Sequence, residues 1–271
     1  MQERKRRITM MLRNGARMTA AAAAVLALSC SGARADGPMG TATIKGKVLA
    51  PEIPSGVRGI DMNADKFCAA QHQKPQMPQG KIVFKDNSLP YAFVYIKSGI
   101  EGKYAPMAEV SLDQKGCMYS PHVMGMVAGT PLKIVNSDDT NHNVHSLPTK
   151  NRQFNFSQPK KGMEKVLTGN DTFNNPEIMV RVKCDVHPWM SAYIGVLSHP
   201  FFHATGRGGE FEIKNVPAGK YTLAVWHEEW GSMETEIEVA DGATVEKELK
   251  YEKKAASAAP VREVTLPSVD R

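Results

Sequence analysis

Eight residues, Lys183-Cys184-Asp185-Val186-His187-Pro188-Trp189-Met190, carry the densest chemistry in the chain. They place a thiol, an imidazole and a thioether at C-x2-H-x2-M spacing. Soft and borderline ligands of this kind suit copper much better than magnesium, calcium or manganese, which take oxygen. Two histidines and one cysteine, with a weak axial methionine, are the ligand list of a copper electron-transfer site. That list needs a second histidine, and the stretch that offers one is Asn141-His142-Asn143-Val144-His145. In an extended segment His142 and Val144 share one face while Asn143 and His145 share the other. Only one of His142 and His145 can therefore easily face a common metal. Four protein ligands leave no obvious open position for a substrate or a reactive water, which argues against an enzyme.

The elements that must position these residues read as strands. Ile178–Val182 precedes the Cys184 loop and Tyr193–Leu197 follows it, while Pro131–Val135 runs through a polar turn into the histidines. Further strand patterns fall at 41–48, 81–84, 92–96, 108–112 and 124–127. Beyond Leu197 four alternating segments, at 209–213, 220–226, 234–239 and 244–251, are separated by Gly-, Pro- and Asp-rich turns. Residues 50–80 read as an irregular excursion, and 147–175 as a long surface connection. No long amphipathic helical period occurs. Many short strands punctuated by turns predict an all-β sandwich or barrel.

The N-terminus reads differently. Six basic residues among the first 18, a short apolar run from Ala20 to Leu28 and the small-x-small Ala33-Arg34-Ala35 predict a cleaved secretory signal peptide over 1–35, and so a periplasmic or secreted protein. Leu28-Ser29-Cys30 loosely resembles a lipidation site, and membrane association is expected only if Cys30 is lipidated. The leader holds seven of the 34 Lys/Arg and one of the 28 Asp/Glu, leaving 27 of each. The formal charge of +6 thus leaves with the leader, and nothing in the rest points to nucleic acid. With Cys30 in the leader and Cys184 in the ligand loop, Cys68 and Cys117 remain as an even pair in an exported chain, which predicts a disulfide.

Residues 131–146 together with 184–190 resemble the cupredoxins, most closely amicyanin and the plastocyanin-like proteins. These share an H-N-V/I segment and a C-x2-H loop, with Pro directly after the His as Pro188 stands here. The resemblance covers about residues 80–197. It implies a Greek-key β-sandwich holding one copper ion on His142, Cys184, His187 and Met190, with Asn143 tying the two loops together. Segment 205–223 resembles the carboxypeptidase-regulatory, transthyretin-like sandwich. The expected organisation is leader 1–35, copper domain 36–198, small sandwich 199–252 and disordered tail 253–271. The function implied is single-electron transfer between redox partners such as a c-type cytochrome or a periplasmic dehydrogenase. The alternatives are copper binding or delivery, and a structural β-sandwich accessory role. An apolar collar of Pro188 and Trp189 around a solvent-facing His187 ring edge is the expected docking surface, the alternative being that Trp189 packs under the loop. His122, His199, His203 and His227 read as structural.

Overall fold

The computed structural model describes residues 37–51, 56–72, 74–84 and 86–252, so the expected leader with Cys30 and the expected tail lie outside it. The regular structure of the described residues is almost entirely strand. In order these are β1 (Ala42–Leu49), β2 (Phe93–Ser98), β3 (Val110–Gln114), β4 (Tyr119–Ser120), β5 (Val123–Val127), β6 (Leu132–Asn136), β7 (His142–Leu147) and β8 (Asn155–Gln158). There follow β9 (Glu164–Leu167), β10 (Glu177–Lys183), β11 (Ser191–Leu197), β12 (Phe202–Ala204), β13 (Glu210–Val216), β14 (Gly219–His227), β15 (Gly231–Val239) and β16 (Thr244–Lys250). One short helix, α1 (Lys66–Gln71), interrupts the excursion.

Two sheets in the order β5-β11-β10-β7-β8 and β4-β3-β6-β9 share one apolar core. Leu112, Ile134 and Leu167 enter it from one sheet, and Met126, Val144, Val182 and Ile194 from the other. Alternation along β7 decides which side chains go in: His142, Val144 and Ser146 are buried while Asn143 and His145 lie on the outer face. The Cys184 loop joins β10 to β11, whose antiparallel pairing is in register up to Lys183 opposite Ser191, so both ends of the loop are fixed.

A second pair of sheets, β13-β1-β16 and β12-β2-β14-β15, closes over Ile44, Val94, Ile96, Phe211, Ile213, Leu223 and Leu249. Its pairing crosses the boundary drawn from sequence at residue 198. The N-terminal strand β1 lies between β13 and β16, and β2 pairs with β12 and β14. Strand β2 is buried on both faces, which accounts for its unbroken apolar run. Val94 and Ile96 face the second sandwich, whereas Phe93 and Tyr95 join Val123 and Leu197 of the first in a shared cluster. Gly125 and Gly195, paired across β5 and β11, leave room for this contact. A Cβ on Gly195 would come within 2.5 Å of the Phe93 ring, and one on Gly125 within 2.4 Å of Phe202.

Residues 81–84 form no strand: a single 3-10 turn ends at Lys81, and the chain continues without sheet partners. The segment 147–175 is not a plain surface connection, since β8 extends one sheet against β7 and β9 the other against β6. Their polar outer residues mask them in sequence, because both are edge strands exposed over much of their length. The excursion is held, as expected, by a Cys68–Cys117 disulfide. Helix α1 is only six residues, too short to persist in isolation, so the crosslink and the Asp65 N-cap fix it. In the chain-entropy relation, closing 49 residues contributes about 4 kcal/mol. Urea unfolding of a Cys68→Ala/Cys117→Ala variant is expected to show a loss of that order, and an unchanged unfolding free energy would show that the crosslink constrains nothing.

Candidate metal centre

His142, Cys184 and His187 bring their ligating atoms within 4.8 Å of one another in a buried pocket. His142 is 0% exposed and His187 1%. The two Nδ1 atoms are 3.0 Å apart, and His187 Nδ1 is 3.8 Å from Cys184 Sγ. Both Nε2 atoms point the other way, each at a carboxylate. His142 Nε2–H donates to Asp138 Oδ2 at 2.9 Å, and His187 Nε2–H to Asp65 Oδ2 at 3.1 Å. A carboxylate can only accept, so each ring carries its proton on Nε2 and leaves an Nδ1 lone pair facing the thiol. This is the usual way in which a ligating histidine is oriented.

Both carboxylates are themselves fixed. Asp138 accepts the N–H groups of Gly116 and Cys117, each at 2.7 Å. Asp65 caps α1, accepting from Phe67 N–H at 2.8 Å and Cys68 N–H at 3.1 Å, and from the Thr140 hydroxyl at 3.0 Å. Burial pushes both carboxyls up, yet these hydrogen bonds and the facing histidines bring each below its ordinary value. Two other groupings, Asp65–Cys68–His187 and Cys117–Asp138–His142, share the same histidines, but their cysteines are joined to each other.

The thiol is prepared for a cation. The N–H groups of Asn143 and His187 each reach Cys184 Sγ at 3.4 Å. Burial pushes the Cys184 thiol up, but the two histidines and these N–H donors outweigh it and bring it down to about 6. His142 is pushed down by burial and lifted by Asp138 and the Cys184 thiolate, ending at about 8. The loop is closed by Cys184 N–H to Met190 O at 3.2 Å and Met190 N–H to His187 O at 2.9 Å.

The residues proposed from sequence fall out as follows. His142, Cys184 and His187 are together, and Met190 is wholly buried in the same cluster as Cys184. Asn143 does tie the loops: its Oδ1 accepts Asp185 N–H at 3.1 Å, and its N–H reaches the thiol. His145 points outward to Asp185 at 2.9 Å, which removes it as a ligand. The expected solvent-facing edge of His187 is corrected, because Asp65 and Cys68 cover that ring nitrogen. Trp189 packs rather than forming a collar. Its ring lies 5.0 Å from that of His187, and its indole N–H donates to Cys117 O at 3.0 Å. Pro188 is exposed, as is Val186 at 48%. Sequence reading missed Asp65, Asp138 and Tyr119. The buried Tyr119 hydroxyl donates to Asn143 O at 2.6 Å and reaches Lys183 O at 3.2 Å, clamping β7 to β10 one residue from His142 and one from Cys184. The i−4 placement of Asp138 before His142 was the signal available, whereas Asp65 is 122 residues from its partner.

The other histidines are structural. His122 Nδ1–H donates to Ser191 O at 2.9 Å, and Nε2 pairs with Glu228 of the second sandwich. His203 donates to Glu212 O at 3.0 Å. His199 and His227 are buried, and burial holds His227 down to about 4.

Among known proteins, the family described as polysaccharide lyase family 4, domain II, matches residues 200–247. No curated protein matches the chain. Among solved structures it is similar to a purple cupredoxin from Nitrosopumilus maritimus, at 19% identity over 32% of this chain and 99% of that one, with a TM-score of 0.26. The Cu(I) form of an amicyanin mutant shows 20% identity over 38% of this chain and 97% of that one, with a TM-score of 0.28. The copper-containing nitrite reductase of Thermus scotoductus SA-01 shows 22% over 39% of this chain and 25% of that one, with a TM-score of 0.28.

The low value at Cys184 gives a direct check on the metal-free protein. Ultraviolet thiolate absorbance is expected to appear as pH rises through about 6 and to vanish in Cys184→Ser. A midpoint near the ordinary thiol value of 9.0 would show that the histidines do not stabilise the anion.

Proposed function

We propose that this protein is an exported carrier of single electrons whose centre is one copper ion held by His142, Cys184 and His187, with Met190 as the fourth, weak ligand. The observation that carries this reading is the convergence of two Nδ1 lone pairs on a depressed-pKa thiol in a buried pocket. Two imidazoles and a thiolate are a donor set for copper, zinc or iron rather than for the hard cations. Bound there, copper would supply a one-electron couple.

The chain's own contribution is rigidity. Strands β7, β10 and β11 hold the ligand backbone, and the Asn143 and His187 N–H groups hold the sulfur. Ligands that do not move between oxidation states keep reorganisation small. The pocket is too enclosed for a substrate, which favours a carrier over an enzyme. Copper delivery would require ligands that let go, whereas His142, His187 and Cys184 are each pinned by a second group. The redox partner, such as a c-type cytochrome or a periplasmic dehydrogenase, approaches over the exposed Val186 and Pro188, because α1 occludes the His187 edge. The export signal read at 1–35 supports a periplasmic setting for this exchange.

Titration of the purified metal-free protein with Cu(II) tests the reading. One equivalent is expected to give an intense visible thiolate-to-copper band. Cys184→Ser abolishes it and His142→Ala severely weakens copper retention, while His145→Ala leaves both unchanged. Absence of the band in the unmodified protein would sink the proposal.

A further inference from the structure

We infer that Asp65 is a positioning residue for the metal centre: its carboxylate, carried on the crosslinked helix α1, fixes the tautomer and orientation of His187. The inference rests on the copper reading for its consequence, though not for its geometry. His187 is buried, but it lies on a loop whose neighbours Val186 and Pro188 are exposed. A ring in that position would otherwise meet water at Nε2 and exchange its proton between the two nitrogens. Asp65 occupies the place of that water, at 3.1 Å.

Asp65 belongs to none of the strands that carry the other ligands. It comes from the excursion between β1 and β2, and three separate devices bring it back. The N–H groups of Phe67 and Cys68 hold one carboxylate oxygen, and the Thr140 hydroxyl from the turn before His142 holds the other. The Cys68–Cys117 bond then anchors the helix to the segment whose N–H groups hold Asp138. One crosslink therefore joins both carboxylates that face the ligand histidines. A negative charge on the far nitrogen also makes the imidazole a better donor to the more highly charged metal ion. Loss of that charge should weaken Cu(II) binding more than Cu(I) binding.

Capping and positioning are separable by substitution, because Asn caps a helix as well as Asp does. Asp65→Asn keeps the cap and removes the charge. The metal-free variant is expected to stay folded with α1 capped, losing only what the carboxylate contributes through His187 and Thr140. Its copper complex should keep the visible band but lose about 10- to 100-fold in Cu(II) affinity. Every tenfold by which the Cu(II) loss exceeds the Cu(I) loss raises the potential by about 59 mV. Unchanged affinity and potential in Asp65→Asn would overturn the inference, since they would leave Asp65 as a cap alone. A second measurement needs no copper. Long-range proton–nitrogen NMR of the metal-free protein is expected to show His187 as the Nε2–H tautomer, becoming a mixture in Asp65→Ala. A mixture already present in the unmodified protein would overturn the positioning role, whatever metal the site takes. A clean Nε2–H tautomer in a protein with no thiolate-to-copper band would refute the copper reading and leave the positioning intact.

Discussion

An imidazole has two nitrogens, and a site built on two histidines works only if each ring turns an unprotonated nitrogen inward. In this protein two carboxylates make that choice. Asp138 takes the Nε2 proton of His142 and Asp65 that of His187, so both Nδ1 lone pairs meet at the Cys184 sulfur. The rest of the first sandwich serves this constraint. Alternation in β7 aims His142 inward, and Tyr119 clamps the carbonyls next to both His142 and Cys184. The disulfide unites the backbone donors of the two carboxylates. Burying two carboxylates and two imidazoles would be unfavourable if any one lacked its partner, and each has at least one.

The second sandwich reaches the same loop by another route. His122 holds the carbonyl of Ser191, the residue after Met190, and its other nitrogen meets Glu228 in the turn between β14 and β15. Strand β2 is shared in a physical sense, with one face in each sandwich, and the Gly125–Gly195 pair lets Phe93 lie flat between them. The C-terminal strands therefore do more than follow the site in sequence. They complete the two sheets that hold β1 and β2 and brace the far end of the Cys184 loop.

The all-β fold and most strands were legible because their apolar residues alternate, as in β1, β6 and β14. The edge strands β8 and β9 were not, since exposed edges carry polar residues that read as loop. The candidate trio of His142, Cys184 and His187 was legible from local spacing, and alternation alone placed His142 and His145 on opposite faces. Asp65 and Asp138 became visible only through folding. Nothing in Ala64-Asp65-Lys66 shows that a carboxylate there will meet a histidine 122 residues later. The same long-range cover explains why the His187 edge, expected to face solvent, is closed.

The central claim concerns which atoms hold the metal, and X-ray absorption at the copper edge of the Cu(II)-loaded protein tests it most directly. The proposed centre gives one short thiolate sulfur and two imidazole nitrogens, with that short sulfur lost in Cys184→Ser. A shell of nitrogen and oxygen alone, or a short sulfur distance that survives Cys184→Ser, would contradict it.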